Sequence, residues 1–236
     1  MKLVADLHIH TISSGHAYST VEEYVAQAKK IGLKAIAITD HGPAMPGGPH
    51  WYHFFNLKMI PEKHQGIRIY RGVEANIINN EGKLDLPDDA LERLDIVIVA
   101  MHPRCGYENL GEEGNTKVLL KTLKNPHVNV IAHPGNPMYP INVEQTVAAA
   151  KEKGVILEIN NSSPTSRAGS WDRCLAFARE IKRQDWKVIL TTDAHFSTML
   201  GKFDEALKLI KEAGLTEKHV VNTSLAKIDK YLLAKK

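Results

Sequence analysis

The chain has 236 residues, 43% of them hydrophobic and 24% charged, with two cysteines and a formal charge of +3. That length buries about 70–75% of its unfolded surface without disulfide help, and the composition excludes a disordered chain and a coiled coil. So small a charge gives no argument for a nucleic-acid or membrane surface, and Cys105 and Cys174 read as free thiols of a reducing compartment.

Leu3-Val4-Ala5-Asp6-Leu7 reads as the first strand, and Asp6 and His8 interrupt the run before a signal-peptide core can form. No apolar run approaches the roughly 20 residues of a membrane span, so a cytoplasmic location is expected. From Ser19 to Ile31 the apolar residues fall at helical spacing, with Thr20 and Glu23 as a capping box and Gly32 as the stop. Ala35 to Thr39 is a continuous apolar run, as suits a buried parallel strand. Arg68–Val73 follows as a strand, and Asn76–Leu86, with Asn79-Asn80-Glu81-Gly82 at its centre, as a hairpin excursion. Strands are then expected at Asp95–Ala100, Val128–Ala132, Val155–Ile159 and Val188–Thr191. Helices are expected from Asn142, with Gln145 at its third position, to Gly154, then at Ser170–Arg183, Phe203–Ala213 and Ser224–Leu233. Alternating strands and helices with no linker imply one α/β domain over residues 1–236, its sheet mostly parallel and covered on both faces. Periodicity alone leaves an open doubly wound sheet and a closed barrel in competition.

The twelve histidines decide between them. The first strand runs into His8-Ile9-His10, and alternation puts both imidazoles on one face. Later strands end in Asp40-His41, Glu74, His102, His133, Glu158-Ile159-Asn160 and Asp193-Ala194-His195. Six of the seven strands thus deliver a His, Asp or Glu at the C-terminal tip, the edge where parallel α/β folds place their sites. Ligands from six strand tips converge if the sheet closes; an open sheet spreads them at about 4.8 Å per strand. The expected architecture is a distorted, seven-stranded, TIM-like β/α barrel holding a metal site.

The segments Asp6-Leu7-His8-Ile9-His10, Thr39-Asp40-His41-Gly42, Gly72-Val73-Glu74, His102, His133-Pro134-Gly135 and Asp193-Ala194-His195 resemble the PHP family, the polymerase and histidinol phosphatase domain. His16-Ala17-Tyr18-Ser19-Thr20 and Glu158-Ile159-Asn160-Asn161-Ser162-Ser163 are similar to its YcdX-type phosphatase branch. The resemblance implies three divalent metal ions. His8, His10, Glu74 and Asp193 would hold the first, a bridging Glu74 with His102 and His133 the second, and His16, His41 and His195 the third. His-rich ligation suits zinc, with manganese and iron as alternatives.

Three dications against two carboxylates leave a net charge of about +4. Such a centre favours a phosphate dianion, and these side chains cannot fill every coordination position, which marks a catalytic site. A metal-activated hydroxide would attack a phosphomonoester, with Glu74 and Asp193 at the reacting centre. Asp40 is read either as the proton donor to the leaving group or as a loop-capping carboxylate, and Arg167 as a clamp on the phosphate of a small substrate. His50-Trp51-Tyr52-His53 could wall the pocket, and Cys105, beside Arg104 in the loop after the fourth strand, could approach the metals. His64, His127 and His219 lie away from the tips and read as structural. The alternative function is a phosphodiesterase or 3′–5′ exonuclease on the same metals, disfavoured because no Lys/Arg cluster suggests a strand-binding groove. A dinuclear amidohydrolase also begins with His-x-His but has no use for a third ligand set.

Overall fold

Strands form at the apolar runs, and the helices that begin at Val21, Val143 and Leu225 start where Thr20, Asn142 and Ser224 cap them. The computed structural model describes residues 1–233, so the last three residues of the expected domain lie outside the described residues. β1 (Ala5–Ile9) leads to α1 (Val21–Ile31), where Thr20 and Glu23 make the capping box and Gly32, at φ 81°, ends the helix. β2 (Ala35–Ile38) is followed by a short α2 (Tyr52–Asn56), a two-residue β3 (Lys63–His64) and the long β4 (Ile67–Asn76). α3 (Asp88–Leu91), β5 (Ile96–Ala100), α4 (Gly111–Thr122) and β6 (Val130–Ile131) come next. α5 (Val143–Lys153) starts where the Asn142 side chain accepts from Gln145 N–H and stops at Gly154. β7 (Ile156–Asn160), α6 (Ser163–Ser166), α7 (Ser170–Arg183), β8 (Val188–Thr191), α8 (Asp204–Ala213) and α9 (Leu225–Leu232) follow among the described residues.

The parallel order is β1-β2-β4-β5-β6-β7-β8, and β3 adds to β4 antiparallel. Ile9 bridges Ala194 at the remaining seam, so seven parallel strands form a nearly closed barrel and the barrel expectation holds. The lower part of the seam is filled by Asn222. Its Nδ2 donates to Ala5 O on β1 and Leu190 O on β8, and its Oδ1 accepts from Leu190 N–H. Small interior residues (Ala5, Ala35, Ala37, Ala100, Ala132) and Ile96, Ile98, Val130, Ile156 and Ile189 fill the barrel, and Ile228 and Leu232 of α9 join this cluster. Asp229 anchors α9 to β4 through Arg68 and Tyr70, each at 2.8 Å. A larger apolar layer lies between β4–β8 and α4, α5, α7 and α8.

Some elements differ from expectation. β1 begins two residues later than its apolar run suggests, and β6 keeps only two residues of a five-residue run. The Asn76–Leu86 excursion is a loop with one antiparallel bridge, Ile77 to Leu84, and a turn in which Gly82 N–H donates to Asn79 O. α4 has no amphipathic signature because the face it buries includes Asn115, Thr116 and Thr122. No helix among the described residues is long and apolar enough to cross a membrane.

Candidate metal centre

Period-two alternation puts His8 and His10 on one face of β1, but Ala5 and Leu7 already occupy the interior. A register shift reconciles them: Asp6 pairs Ile36 and Ile9 pairs Ile38, so β1 spends one more residue than β2 between these pairs. The bulge turns His8 and His10 inward while Ile9 packs outward against α1, the re-aiming that bulges commonly supply beside active sites. Asp40-His41, Glu74, His102, His133, Asp193 and His195 arrive at the same rim from their own strand tips. His133 and Asp193 have φ of 28° and 53°, conformations that cost a non-glycine residue about 1–3 kcal/mol and cluster at functional sites.

The donors converge. His8 Nε2 and His10 Nε2 are 3.0 Å apart, and they lie 3.6 and 3.0 Å from Asp193 Oδ1. Glu74 is at the middle, with Oε2 2.8 Å from His41 Nδ1 and Oε1 2.9 Å from His133 Nε2. Glu74 Oε2, Asp193 Oδ1 and His41 Nδ1 are buried yet make no hydrogen bond. Unpaired buried carboxylate oxygens are costly, and electron-pair donors left facing one another are what a divalent cation satisfies. Three donor sets each lie within 4.8 Å: His8, His10 and Asp193; His41, Glu74 and His102; and His10, His41 and His195. His16 and His133 fall outside these sets but border them. The His16 ring stacks on His41 at 4.9 Å and lies 5.1 Å from His195.

A second layer sets which nitrogen faces inward. Glu158 Oε1 lies 2.6 Å from His8 Nδ1, and its Oε2 accepts the His133 backbone N–H. Asn76 Oδ1 faces His102 Nδ1 at 2.8 Å, Ser14 Oγ faces His10 Nδ1 at 3.2 Å, and Asp193 O faces His195 Nδ1 at 2.9 Å. In each case an acceptor is placed to hold Nδ1–H, which in the neutral imidazole leaves Nε2 as a lone pair toward the centre. Burial opposes charge on Glu74, but His8, His102 and His41 outweigh it and hold the carboxyl well below its usual range. Asp193 is likewise held low against its burial by His8, His10 and Arg167. Burial lowers His10 to about 3 and puts His102 well below the imidazole range. Ionised carboxylates and neutral imidazoles are the forms that ligate metals. His8 differs: burial lowers it, but Glu158, Glu74 and Asp193 prevail and raise it, so a cation bound there displaces a proton.

A cavity of about 340 Å³ opens above the donors, lined by His16, His41, His102, Asp193 and His195, by Thr165 and Ser166 of α6 with the flanking Ser162 and Arg167, and by Met45 and Met199. Arg167 is therefore at the site, its Nη2 donating to Asp193 Oδ2 at 3.1 Å, where Asn160 Nδ2 also donates. Asp40 lies beneath. It accepts from Thr11 N–H, Thr11 Oγ1 and Ser14 Oγ at 2.7–2.8 Å. Burial opposes its ionisation, but His53 at 3.6 Å and these bonds hold it below the usual carboxylate range. Of the two readings of Asp40 this geometry favours the loop-capping one. The His50–His53 segment does not wall the cavity: Trp51 lines a separate surface groove with Phe55. Cys105 is buried with Sγ toward Pro103 O, and burial pushes its thiol up to about 12. Arg104 is exposed. His64 pairs with Glu22 on the surface, and buried His219 accepts from Thr216 N–H.

Asn76 and Ser14 were not legible as site residues, and Glu158 and Asn160 stood out at a strand end without a role. The one signal was a carboxylate and two amides in buried stretches of strand, Asn76 at the end of β4 and Glu158 and Asn160 in β7.

The PHP domain family model matches residues 6–224. A protein of Thermoanaerobacter sp. named "probable phosphatase" is 52% identical over 100% of this chain and 97% of its own length. One of Acetivibrio thermocellus with the same name is 48% identical over 100% and 98%. The crystal structure of histidinol phosphate phosphatase from Lactococcus lactis, complexed with zinc, L-histidinol and phosphate, superposes with a TM-score of 0.63 at 18% identity, over 90% of this chain and 94% of that one; this likeness concerns the fold. Since the family match runs from β1 to the residue that caps α9 and takes in every strand tip described above, the chain belongs to the PHP domain family.

Proposed function

We propose that this protein is a metal-dependent phosphatase that hydrolyses small phosphomonoesters at a centre of three divalent ions. The observation that carries the reading is the meeting of Glu74 Oε2, Asp193 Oδ1 and His41 Nδ1, buried and without hydrogen bonds, under a cavity that Arg167 lines. The names of the full-length relatives support it. His8, His10, Glu74 and Asp193 would hold the first ion, Glu74 with His102 and His133 the second, and His16, His41 and His195 the third. The donor set suits zinc, and manganese or iron as well. Divalent ions in such a setting lower the pKa of water toward 7 and offset charge on phosphoryl oxygens.

The chain's own residues prepare that chemistry. Glu158, Asn76 and Ser14 fix the tautomers of His8, His102 and His10, so these nitrogens need no reorientation as a substrate arrives. Arg167 gives one N–H to Asp193, and its planar fork has others for phosphate oxygens. Asp40 and Thr11 brace the turn that carries Ser14.

The test is a pair of chromogenic esters that differ only in a second ester group, assayed with one metal. The monoester should be at least about tenfold better in kcat/KM, about 1.4 kcal/mol of transition-state binding. A faster diester, or degradation of single-stranded DNA, would replace the phosphatase by the exonuclease. Elemental analysis should find about three ions per chain, and two at most after reconstitution would remove the third site.

A further inference from the structure

The segment between β7 and α7, which contains α6, brings three hydroxyls to the cavity, those of Ser162, Thr165 and Ser166. Each has a backbone carbonyl within hydrogen-bond distance to which its single hydrogen can turn. Ser162 Oγ donates to Thr192 O at 2.7 Å, while Thr165 Oγ1 and Ser166 Oγ lie 2.9 and 2.7 Å from Ser162 O, which the Thr165 and Ser166 backbone N–H groups share. A hydroxyl has one hydrogen and two lone pairs, so this wall offers acceptors. Ser166 Oγ uses one toward Arg167 Nη1 at 3.2 Å. Among the lining residues the carboxylate is Asp193, already engaged by Arg167 and Asn160, and the rings are imidazoles of the metal centre.

Such a wall discriminates by chemistry. Lone pairs ask for donors on the substrate. A hydroxyl donates without bringing charge. An ammonium also donates, but it would find no free carboxylate and would face the Arg167 guanidinium and the metal centre. A second phosphate would meet lone pairs, and a nucleobase would lack a flat aromatic side chain to stack on. The cavity, about 340 Å³, is at the small end of the ~300–1,000 Å³ range of ligand pockets.

Resting on the phosphatase reading above, we propose that Ser162, Thr165 and Ser166 form the subsite for the leaving alcohol and select neutral, hydroxyl-rich substrates, monophosphates of polyols or monosaccharides, over amino-alcohol phosphates. The experiment compares glycerol 3-phosphate and a hexose monophosphate with phosphoethanolamine on the metal-loaded protein, with p-nitrophenyl phosphate as the reference for phosphatase activity. The hydroxylated substrates should lead phosphoethanolamine by about tenfold or more in kcat/KM. Thr165→Val and Ser166→Ala should each narrow that lead by about threefold to tenfold, the range of one hydrogen bond, mainly through KM. Calorimetric binding of the matching phosphonates, which are not hydrolysed, should rank in the same order. Equal or better turnover of phosphoethanolamine, a lead unchanged in both variants, or equal phosphonate binding would overturn the proposal. Failure to hydrolyse any ester, p-nitrophenyl phosphate included, would overturn the phosphatase reading instead, and the phosphonate ranking would still decide the subsite.

Discussion

Replacing Glu74 by Gln tests the proposed metal centre at its middle. Five imidazoles surround this carboxylate: Oε1 lies 2.9 Å from His133 Nε2 and 3.5 Å from His102 Nε2, and Oε2 lies 2.8, 3.3 and 3.5 Å from His41, His8 and His10. Glutamine keeps the shape, removes the charge and turns one oxygen into a donor that faces lone pairs. Two unit charges about 4 Å apart interact by about 4 kcal/mol at an effective dielectric of about 20, about a thousandfold in an equilibrium constant. A dication should lose at least that much affinity. Ion binding stabilises the folded state by mass action, so the rise in melting temperature on metal addition should shrink by about 8–16 °C, at about 2–4 °C per kcal/mol for a chain of this size. Elemental analysis and scanning calorimetry, with melts in chelator as the folding control, read both effects, and kcat/KM for p-nitrophenyl phosphate should fall about a thousandfold. His127→Ala is the comparison, because His127 is half-buried just ahead of β6, at the end away from the rim. Equal losses in the two variants, or a full metal complement and an undiminished melting rise in Glu74→Gln, would refute the placement of Glu74 at the centre.

Three further changes separate binding, orientation and scaffold. Arg167→Ala should weaken inhibition by inorganic phosphate and raise KM by about tenfold to a hundredfold with metal content retained, and Arg167→Lys should recover part of it because a point charge lacks the fork; steady-state kinetics beside elemental analysis checks this. Glu158→Gln should cost about tenfold to a hundredfold in metal affinity through His8 and the His133 backbone, read by competition with a chelator. Asn222→Ala leaves Ala5 O and the Leu190 N–H and C=O buried without their side-chain partner. At about 1–3 kcal/mol each, the loss of about 3 kcal/mol or more should lower Tm by about 6 °C or more while bound metal stays constant, as differential scanning calorimetry with elemental analysis would show.

The barrel was legible because its signals are local and redundant. Apolar runs mark the strands, Thr20 with Glu23 and Asn142 with Gln145 mark helix starts, and Gly32 and Gly154 mark stops, all of which the structure bears out. What escaped had no such signal. α4 buries Asn115 and Thr116, whose partners are Tyr107, Pro140 and the Asn142 backbone across a loop, so its inner face looks polar in sequence. β3 exists only because it pairs with β4. The Asn222 wedge sits far along the chain from β1, and nothing near it in sequence says that a barrel seam needs filling.

The candidate site divides along the same line. Potential ligands were visible because a His or carboxylate at a strand tip is conspicuous, and repetition over six tips makes the set specific. The residues that aim them are ordinary Glu, Asn and Ser, and their role depends on contacts between residues up to 150 positions apart, as Glu158 is from His8. The facing of His8 and His10 depends on geometry of the same long range. Alternation says that they share a face, but applied from Ala5 and Leu7, both interior, it would send His8 outward and Ile9 inward. The extra residue in β1 opposite β2 corrects the phase, and that count exists only between two paired strands. A reading confined to one strand therefore identifies the candidate ligand pair without its direction. Closure of the barrel and register together supply the direction, and the side chains of Glu158, Asn76 and Ser14 then turn direction into coordination-ready nitrogen atoms.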